Sequence, residues 1–493
     1  MMGFTRPLRG LRTQRGQALP FALILLSAGA AALYLAFNAA QLAHAKTKEQ
    51  DTADSAAYSV GVLQARDLNF AAYANRAMIA NQVAAAQMVS VKSYVDELGA
   101  TYGPTGWDTF FDAMATVTAP WTGFKKSGSA VLRGAQRLLD STLPTAAKAI
   151  DEINLGLSKE QALFHGSMAV QIPLVADEVA QANQPDSHVT KTYFVVRDGV
   201  QLASVTNFAK QNTPAGKTGS DRFADVVTNK TTLDGFVQQR GMNTRQPFVE
   251  SPSTCDGWIS AALAHLGGTQ LRPDKRGWES LDATDVNGML ICIIVDIPVP
   301  IPFAESEGSG GAANGLGGRY SSPNGYGGYN NFGGSLTNLL TSFAAQSQYS
   351  KGAGRTMSRQ GGLQPYYELA NLPTPAGGSD FNRAPTITVE VQRPSSSIRS
   401  TDQIKIGTGA LQVQDGTAQN QMRSLSSASA YFIRPDNGSG GTAGGLLNVA
   451  HWKRGDNKWE YPSLFNPYWQ SSLVKTNITA IEAADLAQAE GAP

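Results

Sequence analysis

The 493-residue chain is long enough for two or three compact domains. Only 16% of its residues are charged, against a usual share of about 25%, and 50 residues are glycine. Four of the 40 basic residues lie in the first fifteen positions, which leaves 36 basic against 39 acidic residues, a net charge of −3. This balance excludes the basic face of a nucleic-acid-binding protein.

The first fifteen residues contain four arginines. The next thirty residues, 16 to 45, contain no Asp, Glu, Lys or Arg. A helix of about 20 apolar residues crosses a bilayer, so this segment predicts a transmembrane helix. Basic flanks stay on the cytoplasmic side, which places residues 1–15 inside the cell and the bulk of the chain outside the inner membrane. Small residues recur every four positions in the span and predict a helix-packing stripe. The stripe consists of Ala28, Ala32, Ala36 and Ala40.

A cleaved signal peptide is the alternative to an anchor. Ala43 and Ala45 satisfy the small-residue pattern of a signal-peptidase site. The apolar run is longer than a usual signal core, and helix-forming residues continue beyond Ala45, so the anchor is favoured.

From residue 21 to residue 102 there is no proline, which predicts one very long helix or two helices broken near Gly61. Its outer part, residues 68–91, carries one charge and must be covered on most sides. Its asparagines, Asn69, Asn75 and Asn81, are expected to bond to backbone or to each other. Further helices are predicted over residues 107–182, with breaks near Pro120 and Pro144, which together form a helical bundle.

The second half of the chain is predicted to be β-rich. Residues 289–299 indicate a buried strand, and residues 386–392 alternate as a half-buried strand of an antiparallel sheet does. Residues 307–335 are almost wholly Gly, Ser, Asn and Tyr, which predicts a linker or surface loop. A helix is expected at residues 477–489.

No catalytic, cofactor-binding or metal-binding pattern is complete, so the sequence predicts a non-enzymatic protein without cofactors. The two cysteines, Cys255 and Cys292, form one disulfide or remain two buried thiols. Four aromatic residues near the end of the chain are either a binding surface or core packing, and core packing is favoured. They are Tyr461, Phe465, Tyr468 and Trp469.

Four early segments carry a resemblance to a known family. They are residues 15–20 (RGQALP), 54–59 (DSAAYS), 64–70 (QARDLNF) and 72–81 (AYANRAMIAN). Together they resemble the putative Flp pilus-assembly proteins of the TadE/TadG-like group of the bacterial tight-adherence (Tad) pilus system. The resemblance covers residues 12–90 and continues in patches, such as residues 430–435 (AYFIRP) and 463–469 (SLFNPYW).

The resemblance implies a single-pass inner-membrane protein, a minor pilin or assembly factor with its bulk in the periplasm, that serves pilus biogenesis and adhesion. Membrane lipid and other pilins or pilus-assembly proteins are its implied partners, met through the N-terminal helix. Prepilin-type processing would fall between Gly16 and Gln17. Processed pilins usually carry Glu five residues after the cleaved bond, where this chain has Phe21.

These expectations combine into an α+β architecture with a pilin-like transmembrane helix, a periplasmic helical bundle and a β-rich C-terminal region. The predicted segments are a cytoplasmic tail (1–15), a transmembrane helix (16–45), a helical region (46–185), a mixed α/β region (186–303), a Gly-rich linker or loop (304–336) and a β-rich region with a terminal helix (337–493). A secreted or membrane-tethered adhesin and a secreted enzyme remain alternatives.

Overall fold

The structure, a computed structural model, describes residues 18–102, 121–190, 199–214, 221–238, 240–250, 257–315, 355–371, 382–397, 421–433 and 461–489. Within these ranges the chain is an α+β protein with a long, apolar N-terminal helix and a β-rich C-terminal region. The sequence predicts this coarse class, and it is confirmed.

The dominant element is helix α1, Ala18–Tyr102, which runs without a break for 85 residues. At about 1.5 Å per residue it is about 130 Å long. Its only proline, Pro20, lies in the first turn, where the missing N–H has no partner to lose. Gly61 does not interrupt the helix, so the single-helix alternative is the correct one.

Helix α2, Trp121–Asn183, lies antiparallel to α1 and packs along it. Asn154 of α2 bonds to Asn81, and Gln184, just after α2, bonds to Thr52. The predicted break at Pro144 is wrong, because α2 continues through it. In the described residues, the helical region expected over 46–185 is therefore this pair of helices.

The described residues also contain three short α-helices. Asp221 caps one of them and accepts hydrogen bonds from the backbone N–H groups of Phe223 and Ala224. The predicted terminal helix is present. The three helices are α3 (Gly199–Thr206), α4 (Arg222–Val227) and α5 (Ile478–Ala489).

The first sheet has four antiparallel strands in the order β1-β9-β10-β11. Strand β9 was expected to be half-buried, but Thr388 and Glu390 on its polar face are buried as well as Val389 and Val391. Both faces of β9 are thus covered. The strands are β1 (His188–Val189), β9 (Ile387–Pro394), β10 (Gln421–Phe432) and β11 (Trp469–Val474).

The described residues also form a two-stranded sheet, β2-β8, and a five-stranded sheet, β3-β4-β5-β6-β7. In the larger sheet only the β6–β7 pair is parallel. The strands are β2 (Ala209–Asn212), β3 (Met242–Glu250), β4 (Gly257–Leu271), β5 (Gly277–Ile294), β6 (Ile297–Gly315), β7 (Arg355–Thr356) and β8 (Tyr366–Leu369).

Strand β6 corrects the expected Gly-rich linker, because residues 304–315 belong to the strand. A Cβ atom at Gly308 would fall within 3.0 Å of the backbone of Thr101, and one at Gly310 within 3.0 Å of the backbone nitrogen of Glu97. These glycines bring the strand directly onto the backbone of α1, so they serve close packing rather than flexibility. Residues 316–336 of the expected linker lie outside the described residues.

The apolar run over residues 289–299 also differs from the prediction of one buried strand. Strand β5 ends at Ile294, and the chain reverses at Val295 and Asp296, which both have positive φ (50° and 59°). Val295 is 88% exposed, so this run forms the tip of the β5–β6 hairpin.

Helix α1 passes through three successive hydrophobic clusters. The first lies between α1, α2 and the four-stranded sheet, the second around Trp469 and Phe432, and the third around Trp278 and Tyr366. Many contacts of α1 in these clusters are alanines, which let the neighbouring elements approach its backbone closely. One helix therefore supports every sheet of the molecule.

Candidate functional site

The first thirteen described residues of α1, 18–30, are all exposed. No residue of its most apolar 18-residue window is buried, and Leu25 and Leu33 are each 73% exposed. By length and composition this part of the helix could cross a membrane. The predicted stripe is exposed along the same segment, so its side is open to a second helix. Its members are Ala28, Ala32, Ala36 and Ala40.

The same helix enters the folded part of the molecule over the next three turns. Asn38 is the first buried residue, and Ala45 and Glu49 follow on the same face at intervals of seven and four. The span predicted from sequence, residues 16–45, thus includes the first two buried residues of α1, Asn38 and Ala45.

A polar clamp holds α1 just beyond this boundary. Ser187 donates to the Glu49 carboxylate (3.1 Å), and Gln184 donates to the Thr52 hydroxyl (2.9 Å). Arg393 of β9 donates to the side-chain oxygen of Gln184 (2.7 Å). Burial raises the pKa of Glu49 against the opposing effect of these neighbours. The clamp joins α1, the end of α2 and the four-stranded sheet at the point nearest the apolar segment.

Farther along α1, Asp67 and His165 of α2 form a buried pair. Nδ1 of His165 lies 2.6 Å from a carboxylate oxygen of Asp67, and Nε2 lies 2.8 Å from the carbonyl oxygen of Thr206. Both ring nitrogens therefore face acceptors, as they do in the charged imidazolium. Burial works against the charge, but the bonds to Asp67 and Thr206 outweigh it and raise the pKa of His165.

Asn69 and Asn75 of α1 bond to backbone groups of neighbouring elements, as the sequence predicts. Asn69 donates to the carbonyl oxygen of Trp469 (2.8 Å) and accepts from its backbone N–H (3.0 Å). Asn75 donates to the carbonyl oxygens of Tyr367 (2.8 Å) and Leu464 (2.6 Å).

Asn81 completes the series and donates to the side-chain oxygen of Asn154 (2.9 Å). Asn69 and Asn75 thus satisfy backbone groups that a strand end or a loop would leave open, whereas Asn81 bonds to a side chain.

The far end of α1 is joined to the five-stranded sheet by Asp282, which is fully buried. The guanidinium of Arg240 grips this carboxylate through Nε (2.9 Å) and Nη2 (2.7 Å), and Ser93 of α1 donates to it (2.5 Å). Burial alone would raise the pKa of Asp282, but the bonds from His265 and Arg240 lower it. Asp282 is therefore a charged anchor point between helix and sheet.

Glu97 lies beside this pair, in the next turn of α1. Its carboxylate accepts from the Thr101 hydroxyl (2.8 Å) and lies 3.9 Å from Nδ1 of His265. Burial raises the pKa of Glu97, and His265 opposes the shift. With Asp282 3.4 Å from Nε2, His265 stands between two acidic groups.

These acidic and basic groups are buried and bonded to one another, so they connect secondary-structure elements instead of facing a cleft. In the part of the chain that the structure describes, no group of three or more His, Cys, Asp or Glu side chains could hold a metal ion. Charge-assisted hydrogen bonds between these groups hold the helix against the sheet.

Other residues singled out by the sequence are distributed as follows. Gly16 and Gln17 lie outside the described residues, as does Cys255. Cys292 is buried at 5% exposure and takes part in a disulfide, and its strand partner Gly257 is two residues from Cys255. The predicted pairing of Cys255 with Cys292 stays a prediction.

The late aromatic residues belong largely to the core. Trp469 is 3% exposed and Phe465 is 9% exposed, whereas Tyr461 lies at the surface. Trp469 packs edge-on against Phe432 and Phe208. Core packing therefore accounts for this cluster better than a binding surface does.

The sequence does not predict the Arg240–Asp282 and Asp67–His165 pairs. Their members are 42 and 98 residues apart, and nothing in the local pattern links them. The signal available is the presence of polar residues on an otherwise apolar helix, which indicates buried partners without identifying them.

Comparison of the chain with protein-family models, with curated proteins and with solved structures gave no match. The fold itself defines an α+β protein whose N-terminal helix is long and apolar enough to span a membrane and whose folded part is built around the rest of that helix.

Proposed function

We propose that this chain is a non-enzymatic, pilin-like component or assembly factor of a Flp/Tad-type pilus. It is anchored in the inner membrane by the N-terminal part of α1, holds its bulk in the periplasm and acts in pilus biogenesis and adhesion.

One observation carries the proposal: a single uninterrupted helix is bare and apolar at its start and fully integrated into the folded part afterwards. An anchor that only tethered a domain would need no such continuity, because a flexible linker would serve. A component that assembles through its anchor gains from rigidity, since the orientation of the helix then fixes the orientation of both larger sheets.

The resemblance over residues 12–90 supports the same interpretation, because these residues lie largely in α1. The arginines before the helix favour an N-terminus in the cytoplasm. The exposed small-residue stripe supports packing of the anchor against another transmembrane helix.

The geometry near Ala45 supports an uncleaved anchor over a signal peptide. Ala45 is buried within α1, and Glu49 and Thr52 just beyond it are held by the polar clamp. Cleavage after Ala45 would have to precede folding, and the mature chain would begin inside a packed helix.

The proposal is tested on the natural protein by membrane fractionation, N-terminal sequencing and gene deletion. We expect the chain to resist carbonate extraction and to begin at Met1 or Gln17. Deletion of its gene should abolish pili and surface attachment. A soluble chain beginning at Lys46 would overturn the anchor. An intact anchor with normal pili after deletion would overturn the role in pilus assembly.

A further inference from the structure

The outer face of α2 carries large aliphatic side chains that are exposed in the described part of the chain. Six of them are more than half exposed, whereas their neighbours at the helical spacing of three or four include many small or polar residues. We call this set the α2 stripe. It consists of Val131 (71% exposed), Leu138 (62%), Ile153 (54%), Leu163 (74%), Val170 (63%) and Leu174 (63%).

The α2 stripe occupies one side of the helix. With successive residues placed about 100° apart, its six members fall within about 100° of the circumference. Asn154, Gln161 and His165, which bond to α1, lie on the opposite side and are buried. The stripe thus faces directly away from the molecule.

The size of the stripe suits a protein contact. The 44 residues from Val131 to Leu174 extend for about 65 Å, and at a helix width of about 10 Å this face of α2 covers roughly 650 Å². A stable interface takes about 800 Å² from each partner, and isolated patches of several hundred Å² already mark interaction sites.

We propose that the α2 stripe binds a second copy of this chain in the same membrane, with the two α2 helices parallel and side by side. The proposal rests on the anchor of the proposed function. Each α2 runs antiparallel to its own α1, and two α1 helices that enter one membrane in the same direction force both α2 helices to run the same way.

A two-fold axis along the membrane normal then places each stripe residue opposite its own counterpart. Leu138 meets Leu138, and Leu163 meets Leu163. An antiparallel pairing would place the two anchors at opposite ends of the dimer, which one membrane cannot accommodate.

Charge at the edges of the stripe fits this parallel arrangement. Lys159 and Glu160 are both exposed; on the same projection Lys159 lies about 20° beyond one edge of the stripe and Glu160 about 20° inside the other. In a parallel two-fold pair the opposite edges of the two helices meet, so Glu160 of one copy adjoins Lys159 of the other at both edges. Such exposed pairs add little affinity, but they favour one register over its alternatives.

The anchor also reduces the affinity that the stripe has to supply. Two copies confined to one membrane and held upright meet at a high effective concentration and in a restricted set of orientations. A contact somewhat below the standard size is therefore sufficient in the membrane.

Site-specific crosslinking of the full chain in membranes tests the proposal. We introduce Leu138→Cys or Leu163→Cys and treat membranes with a short thiol-specific crosslinker. Ile478→Cys on α5, a position 64% exposed, is the matched control. We expect both stripe variants to give a homodimer at least about tenfold more abundant than the control.

A second measurement uses disruption. Leu163→Glu with Val170→Glu, in the Leu138→Cys background, should reduce the dimer at least about fivefold, because both charges would be buried at the contact. Ile478→Glu in the same background should leave the dimer unchanged. Thermal unfolding of each variant verifies that the fold is retained.

Equal crosslinking at the stripe and at Ile478, no dimer at either stripe position, or a crosslink to a different protein would each overturn the proposal. So would a crosslink between Leu138→Cys and Val170→Cys on different copies without self-crosslinking, which indicates an antiparallel pair. Carbonate extraction of the same membranes separates the two proposals: a chain lost from the membrane contradicts the anchor, whereas an anchored monomer contradicts only the α2 contact.

Discussion

The two ends of α1 distribute apolar and polar side chains in opposite ways. The first part exposes leucines such as Leu25 and Leu26, at 73% and 72% exposure. The later part buries Gln64, Asp67 and Asn75, all below 5% exposure. One helix therefore combines an apolar outside with a polar inside.

The two parts of α1 suit different surroundings. Apolar side chains on the bare segment are stable where lipid replaces water, because lipid needs no hydrogen bonds. Polar side chains in the buried segment are stable only where each finds a partner, and the strand ends and α2 supply those partners. Apolar composition thus specifies the first part of α1, whereas hydrogen bonds to specific partners specify the later part.

The largest effect should come from charging the bare segment. Leu25→Arg with Leu26→Arg adds about 3 kcal/mol per residue to the cost of membrane insertion. We expect the variant to be extracted by carbonate, while the unfolding midpoint of its folded part is unchanged. The double substitution to Phe is the control and should remain in the membrane. Loss of folding in the Arg variant would contradict the separation of the two parts.

The next largest effect should come from the buried charge pair at the far end of α1. Asp282→Ala leaves the guanidinium of Arg240 buried without its partner, which costs about 3–5 kcal/mol. Urea unfolding of the detergent-solubilised chain measures the loss. Asp51→Ala, an exposed carboxylate on the same helix as Ser93, is the control and should change stability by less than about 0.5 kcal/mol. Equal effects would show that the pair is not structural.

A smaller loss should follow removal of one helix asparagine. Asn75→Ala deprives the carbonyl oxygens of Tyr367 and Leu464 of their donor, at about 1–3 kcal/mol for each buried group left unsatisfied. Gln87→Ala, at an exposed position of α1, should be nearly neutral. If the two substitutions had the same effect in urea unfolding, the asparagine contacts would not be holding the strand ends.

The smallest effect concerns pH. Since the pKa of His165 is raised in the folded state, its contribution to stability is complete below the unfolded value of about 6.5 and is lost as the pH rises through the folded pKa. The stability of the natural chain relative to His165→Gln should therefore fall as the pH rises above about 6.5. Glu49 and Glu97, whose pKa values are also raised, are present in both proteins and cancel from the difference.

His188→Gln, at an exposed histidine with its side chain 55% exposed, provides the comparison. A pH-independent difference between the natural chain and His165→Gln would show that His165 does not titrate as a partner of Asp67.

The helical part of the fold follows from the sequence because its signals are local. A run of alanines and leucines without proline beyond the first turn specifies α1, and the absence of charge specifies its bare segment. Pro144 misleads because a proline costs a helix one hydrogen bond and adds a steric clash, yet α2 continues through it while packed on α1.

The sheets are harder to predict because their stability comes from distant contacts. Residues 304–315 have the composition of a linker, yet Gly308 and Gly310 are needed for the approach of β6 to α1. The bonds that hold Asp67 and Asp282 likewise join residues whose proximity depends on the completed fold. Composition describes each segment by itself and leaves out what lies against it.

The continuity of α1 has a mechanical consequence. A pull or twist applied to the bare segment travels along unbroken helix past the clamp at Glu49, past Asp67, and on to the Arg240–Asp282 pair, without a hinge between them. The sheets contact α1 one after another along its length. A force along the helix axis therefore acts parallel to these contacts and is shared among many bonds. Helix α1 therefore transmits an axial force to its C-terminal end with little bending.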